Sequence, residues 1–145
     1  MATSARQDLR SYGYALLEAF RVADTTRIAT VFAKRPSHFN RPKPLAFMDI
    51  LIESATHTQG TRERVMSPSF VFVFDPDLDV DGSDAVIDAF ADYLTADPHI
   101  VPNTVWDRWE VTEDSEQVES AEGTRTFPSV RFTLPNWSIR EGRSP

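Results

Sequence analysis

Two segments of the chain place apolar residues at the three- and four-residue steps of an amphipathic helix. The first spans residues 6–23 and repeats Leu9, Tyr12, Leu16, Leu17 and Phe20. The second, near residues 85–94, repeats Ala85, Val86, Ala89, Phe90, Tyr93 and Leu94. It ends before Asp97-Pro98, because proline disfavours a helical residue ahead of it. The pattern predicts two helices, each with one face against a sheet or another helix.

Shorter segments with the composition of β-strands lie between and after these helices, at residues 28–32, 44–53, 65–74, 104–112 and 127–134. The polar residues 54–64, with Gly60 near their middle, predict a long antiparallel hairpin with a protruding polar tip. Residues 113–125, five of them acidic, predict a polar loop. The three prolines of residues 34–44 exclude a helix and disfavour a central strand there.

These segments follow the order α-β-β-β-α-β-β, with neighbouring strands linked as hairpins. We therefore expect an α+β domain: a mainly antiparallel four- to five-stranded sheet with two helices on one face. The domain is expected to span residues 1–135. Residues 136–145 have few apolar positions and are expected to form a C-terminal tail, mobile or bound to a partner.

The strand at residues 44–53 is apolar on both alternating faces. This is typical of a strand covered on both sides, or covered on one side and abutting a neighbour on the other. With both helices on one face of the sheet, the opposite face is expected to be free and apolar. A free apolar face of this kind predicts assembly with other chains.

Composition narrows the classes of function. The chain has 145 residues and no cysteine, which excludes disulfides, thiol nucleophiles and cysteine-ligated zinc. The longest apolar run, Phe70–Phe74, is too short for a membrane helix, and we expect no secretory signal because the first residues are not hydrophobic. The net charge of −7 disfavours general affinity for nucleic acid.

The charge is unevenly distributed along the chain. Residues 1–74 carry a net charge of +4, whereas residues 75–145 carry −11. This asymmetry predicts a dipolar subunit that can pair head to tail with copies of itself. The alternative is that both charged surfaces simply face solvent.

The spacing that most resembles a metal site is Asp77, Asp79 and Asp81, with a glycine at the sixth position and Asp88 at the twelfth. Oxygen ligands at these positions are typical of a calcium loop. The short Asp88, the acidic Asp84 at the eighth position and a preceding strand argue against calcium. We favour an acidic turn that caps the second helix, and we expect no metal.

No motif for catalysis or cofactor binding is present. The three histidines, His38, His57 and His99, are isolated and lack the helical spacing of a metal-binding pair. There is no nucleophile elbow, and the isolated glycines form neither a phosphate loop nor a dinucleotide-binding motif. We expect neither enzymatic activity nor a cofactor.

A basic segment is the first candidate for contact with a partner. It contains Lys34, Arg35, Arg41 and Lys43, interleaved with Phe39. Such a segment can clamp single-stranded nucleic acid. In an acidic protein it more often serves a protein interface, which is the interpretation we favour.

The tryptophans Trp106 and Trp109 are the second candidate. They are three residues apart and are expected on opposite faces of the strand at residues 104–112. We expect one of them to enter the core and the other to anchor an interface.

Over residues 6–135, the layout resembles that of the tail terminator proteins of long-tailed bacteriophages, also called tail completion or head–tail joining proteins. An opening helix is followed by RIATVFAKRPSHFNRPKPLAFMDI, a strand, a proline-broken approach and a second strand. FVFVFDPDLDVDGSDAVIDAFADYL adds a strand, an acidic turn and a second helix. VWDRWEV and SVRFTLPN close the layout as a strand pair, and residues 136–145 have no counterpart in it.

The resemblance implies a structural virion protein located in the tail, at the head–tail junction, and in the host cytoplasm during assembly. Such proteins form a homo-oligomeric, six-fold ring that caps the tail tube, stops its polymerisation and joins it to the head connector or stopper protein. DNA passes through the channel without specific binding, and no membrane is involved. The alternatives are another neck protein, either head completion or stopper, and a calcium-dependent adaptor domain.

Overall fold

The computed structural model describes residues 5–23, 28–58, 61–76, 80–96, 104–105, 109–134 and 137–142. These residues form two helices and seven strands: α1 (Ala5–Ala23), β1 (Thr30–Phe32), β2 (Leu45–Thr58), β3 (Thr61–Val73), α2 (Val80–Ala96), β4 (Thr104–Val105), β5 (Glu110–Ser120), β6 (Gly123–Thr133) and β7 (Trp137–Gly142). The predicted α+β class with two helices is confirmed. Helix α2 begins earlier than predicted, at Val80 rather than near residue 85.

One sheet has the order β1-β2-β3-β6-β5, and β7 pairs with both β3 and β4. The pairing of β1 with β2 is parallel, whereas the other pairings in the described residues are antiparallel. The expectation that neighbouring strands are linked by hairpins is therefore wrong for β1 and β2. Parallel strands need a crossover connection, and residues 33–44, which we call the strap, provide it.

Both helices pack on the same face of the sheet. Helix α1 contributes Leu9, Leu17 and Phe20 to this core, and α2 contributes Val86, Ile87, Phe90 and Leu94. The Phe90 ring stands edge-on to four phenylalanine rings at centroid distances of 5.0–5.4 Å, on α1 (Phe20) and on the strands (Phe70, Phe72 and Phe132). Phe90 therefore joins both helices to the two central strands.

Helix α1 approaches β2 closely at Gly13. A methyl group at this position would overlap the sulfur of Met48 and lie 3.0–3.1 Å from its Cε and Cγ atoms. Met48 is buried, so its side chain is held among other core residues. The glycine therefore allows the helix to lie directly on the strand.

The face opposite the helices, which we call the second face, is not free as expected. Leu45, Phe47, Val71 and Val73 are fully buried there. The strap crosses this face and inserts Phe39 among them. The double-sided apolar pattern of the strands is thus satisfied within one chain, and it does not by itself require a partner.

Residues 113–125, predicted as a polar loop, instead form most of the hairpin of β5 and β6. The strands pair from Glu110–Thr133 to Ser120–Gly123, and Gly123 has a φ of 116°, which favours glycine. The prediction was wrong because the outer half of the hairpin is mostly polar, and its two apolar side chains that pack on the second face, Val118 and Phe127, are too few to show an alternation.

The segment predicted as one strand at residues 104–112 is divided between two. Thr104–Val105 forms β4 and pairs with β7, whereas β5 begins only at Glu110. The expected tail at residues 136–145 likewise contains a strand, because β7 pairs with the outer half of β3 from Thr61 to Met66. Backbone pairing does not require apolar side chains, so the sequence pattern gives little sign of it.

Candidate functional site

The strap is fixed to the second face by an aromatic contact. The Phe39 ring stacks on Phe47 at a centroid distance of 6.3 Å and stands edge-on to Phe127 at 5.6 Å. At the end of the strap, the carbonyl oxygen of Pro44 accepts a hydrogen bond of 2.8 Å from the backbone N–H of Ala29. These contacts place the basic residues of the strap beside the sheet.

Lys43, a predicted interface residue, is used within the chain. Its ammonium group donates hydrogen bonds to the carbonyl oxygens of Phe39, at 2.6 Å, and Arg41, at 3.3 Å. It also lies 4.8 Å from the centroid of the Phe127 ring and 3.8 Å from Asp75 Oδ1. The Lys43 side chain is only 9% exposed, so its charge fastens the strap and is shielded from solvent.

Arg35 links the strap to the acidic strand β5. Its Nη2 atom lies 3.1 Å from Glu116 Oε2 and donates a hydrogen bond of 3.3 Å to the carbonyl oxygen of Gln117. The guanidinium carbon is 5.2 Å from the centroid of the Phe39 ring. Because Glu116 is only 13% exposed, this ion pair is less screened than an open surface pair.

A second arginine completes a row of side chains across four strands, which we call the charged row: Asp49 on β2, Ser69 on β3, Arg131 on β6 and Glu116 on β5. Arg131 on β6 lies 3.3 Å from Asp49 Oδ2 on β2 and 3.8 Å from Glu116 Oε1 on β5. It also donates a hydrogen bond of 2.6 Å to the buried Ser69 hydroxyl on β3, which donates to the carbonyl oxygen of Asp49. Glu116 therefore lies between two guanidinium groups and ties the strap to the sheet.

The hydrophobic pattern alone does not predict this row. Its signal is the presence of Asp49 and Arg131 inside otherwise apolar strand segments. Buried charges are usually paired, so two opposite charges in such positions are candidates for a contact. Alternation alone does not reveal which strands are neighbours, and β2 and β6 both pair with β3.

An open groove of about 720 Å³, which we call the basic groove, lies along the strap. Phe32 forms part of its wall, and its polar lining includes Lys34, Arg35, His38 and Arg41. Lys34 and Arg41 are exposed, and neither makes an ion pair in the part of the chain that the structure describes. The groove therefore presents free positive charge and favours an anionic ligand or protein segment.

Strand β5 forms the edge of the sheet farthest from β1 and carries the opposite charge. Among the described strands, only β6 pairs with it. Four exposed carboxylates on β5 make no ion pair within the described ranges: Glu110, Glu113, Asp114 and Glu119. We call the unpaired side of β5 with these carboxylates the acidic edge.

Of the two candidate tryptophans, Trp109 is the one that lies in the part of the chain that the structure describes. Trp109 lies just before β5, is partly buried and stacks on Phe132 at a centroid distance of 5.7 Å. It packs against the core between the helices and the sheet. Trp106 lies outside the described residues, so its role as an interface anchor stays a prediction.

The described part of the acidic segment after β3 does not have the conformation of a calcium loop. Asp77 and Asp79 lie outside the described residues, whereas Asp81 and Asp88 both lie in α2. A calcium loop needs a sharp turn at its sixth position, yet Gly82 is helical. The conformation agrees better with the interpretation favoured from the sequence, an acidic start of the second helix.

The described residues contain no group of three potential metal-ligating side chains. His38 is exposed in the lining of the basic groove, and His57 is exposed on β2. His99 lies outside the described residues. The described helices are also too short or too polar to cross a bilayer.

The sequence was compared with models of known families, and none of them matches it. A search of curated proteins gives no match either.

Proposed function

We propose that this protein is a structural virion component, the subunit of a tail terminator ring. In this role, copies of the chain cap the tail tube, stop its polymerisation and join it to the head connector or stopper protein. The proposal starts from the layout: an opening helix, a strand, a proline-broken strap, a long hairpin, a second helix and a closing strand pair. The order of elements agrees with that layout except that the segment VWDRWEV is divided between β4 and β5.

The observation that carries the proposal is a pair of exposed strand segments in the outer parts of the two long hairpins. Ser54–His57 on β2 is exposed on both faces, and so is Thr124–Thr126 on β6. These segments bury no side chain in their own subunit, although ordering them costs conformational entropy. A protein that contacts rings above and below itself needs such extensions, whereas a small catalytic domain does not.

The covered second face changes how this assembly forms. Because the strap already covers the apolar second face, that face does not need a partner, and we expect charged surfaces to contribute to the contacts between copies. Contacts of this kind weaken as salt screens the charges. We therefore propose a ring of six subunits, each folded before assembly, at the head–tail junction.

The charge distribution supports a channel that DNA crosses without being held. The net charge of −7 and the acidic edge repel phosphates. Another neck protein, of the head completion or stopper kind, needs the same surfaces and remains the alternative. A calcium-dependent adaptor is less favoured because Asp81 and Asp88 lie in a regular helix.

The test is the mass of the purified protein over about a hundredfold range of concentration. Sedimentation velocity is expected to show a discrete species at a fixed multiple of 16.4 kDa, and negative-stain images are expected to show closed rings. Purified bacteriophage tail tubes provide a second arm, in which the protein is expected at the tube end. A protein that stays monomeric throughout and ignores tubes contradicts the proposal.

A further inference from the structure

We propose that neighbouring subunits contact each other through the basic groove of one copy and the acidic edge of the next. The inference rests on the proposed ring and identifies the two surfaces that build it. Each copy carries both surfaces, so the contact is head to tail. Repetition of such a contact closes a ring when the rotation between copies allows it.

The acidic edge is open to pairing. Strand β5 has 11 residues, and among the described strands it has a neighbour on one side only. Backbone N–H and C=O groups on the other side can pair with another extended segment. Two acidic edges would place like charges opposite each other, which disfavours β5–β5 pairing between copies. The edge therefore selects a positively charged partner.

The basic groove has the complementary charge. Its volume lies within the usual range for a binding cleft, and Lys34 and Arg41 have no charged partner among the described residues. A free carboxylate from a second copy would supply one. Charge complementarity thus favours the acidic edge of a second copy as the occupant of the groove.

The contact of Arg35 with Glu116 provides an internal example of this chemistry. There, a guanidinium group of the strap already binds a carboxylate of β5 at 3.1 Å. Glu113 and Glu119 lie on the same strand but point to the opposite face, since alternate residues of a strand face opposite sides. The strap of their own subunit leaves them unpaired, so these carboxylates are available to a neighbouring copy.

A nucleic-acid phosphate is the competing occupant of the groove. The total charge of −7 and the carboxylates of β5 oppose it. The acidic edge would remain without a function in that case. The second copy is therefore the better-supported occupant, and the experiment distinguishes the two.

The experiment uses charge reversal on each surface. The groove variant carries Lys34→Glu and Arg41→Glu, and the edge variant carries Glu113→Lys and Glu119→Lys. Each is expected to raise the protein concentration for half-assembly by about tenfold or more, because like charges then face each other. A variant with all four changes is expected to recover assembly, since the charges are complementary again. This recovery cannot arise from simple unfolding.

The matched control for the edge variant is Asp88→Lys with Asp92→Lys, which makes the same charge change on exposed positions of α2. It is expected to assemble as the unchanged protein does. Circular dichroism and thermal melting verify that every variant is folded. If the unchanged protein assembles but neither reversal affects it, or if the folded four-change variant fails to recover, this inference is wrong and the ring proposal stands.

A separate arm measures binding of a fluorescent single-stranded oligonucleotide. Loss of binding in the groove variant, together with unchanged assembly, would assign the groove to nucleic acid and overturn the inference. If the unchanged protein remains monomeric at every concentration and with tail tubes, both proposals fall. Assembly that weakens with added salt and recovers in the four-change variant supports the groove–edge contact.

Discussion

The close approach of α1 to β2 gives a prediction for Gly13→Ala: whether this change stabilises or destabilises the protein depends on the neighbouring Met48 side chain. In an exposed helix, Gly→Ala stabilises by about 1 kcal/mol because alanine loses less backbone entropy. At Gly13 the added methyl overlaps Met48, which is only 1% exposed and has little room to move. Overpacking of a core costs about 1–3 kcal/mol. We therefore expect Gly13→Ala to destabilise the protein by about 1 kcal/mol, net of the helix gain.

Removal of the obstructing side chain should reverse this sign. Met48→Ala alone is expected to cost about 2–5 kcal/mol through the cavity that it leaves. In that background, the alanine at position 13 gains its helix propensity and fills part of the cavity, so it should stabilise by about 1 kcal/mol. The two changes are then coupled by about 2 kcal/mol, which is typical of residues in direct contact.

The measurement is urea unfolding of the four proteins in this cycle, with the slope of the free energy against urea checked for constancy. Ser11→Ala, on the exposed side of α1, is the control and should be neutral or slightly stabilising. If Gly13→Ala stabilises the protein equally with Met48 present or absent, the close approach of helix and strand is not real and the reasoning fails.

Three further outcomes test the second face and the core around it. Phe39→Ala should destabilise by about 3–5 kcal/mol and increase binding of a hydrophobic dye, because it removes the apolar anchor of the strap; an unchanged melting temperature would contradict this. Glu116→Gln should destabilise more than Glu113→Gln in thermal melts, since only Glu116 lies between two arginines, and equal effects would argue against the charged row. Trp109→Ala should lower the unfolding free energy by about 3 kcal/mol, because the ring stacks on Phe132; loss of assembly with unchanged stability would instead restore its role as an interface anchor.

Periodicity predicted the parts of the fold that are buried on one side. Helix α1 was predicted to within one residue at its start, and the β2–β3 hairpin was predicted because its inner ends are apolar. In these segments, burial and secondary structure dictate the same pattern. The sequence therefore predicts secondary structure best in segments that bury one face in the core.

The errors lie where backbone pairing occurs without burial. The outer half of the β5–β6 hairpin has mostly polar side chains, and the isolated Val118 and Phe127 do not distinguish a strand pair from a loop. The strand β7 was missed for a similar reason, because its partner is the outer half of β3. The positive φ of Gly123 marks the turn, but a single glycine in a polar segment is a weak signal.

The candidate site was predicted in part. The basic segment is where the groove lies, and Arg35 and Arg41 line it as exposed groups. Lys43 differs because the strap folds back on it, a consequence of the Phe39 contact that local sequence does not encode. The pairing of Glu116 with both Arg35 and Arg131 also depends on long-range topology, which places β6 beside β3.

The two faces of the sheet differ in how much of the chain must move away before their apolar side chains are exposed. Removal of the helices would require two long elements to leave, whereas displacement of 12 residues would bare Leu45, Phe47, Val71 and Val73 together. The apolar second face is thus covered by the strap alone. A protease cut within the strap, or exchange of the strap between two copies, would expose this apolar surface to other molecules.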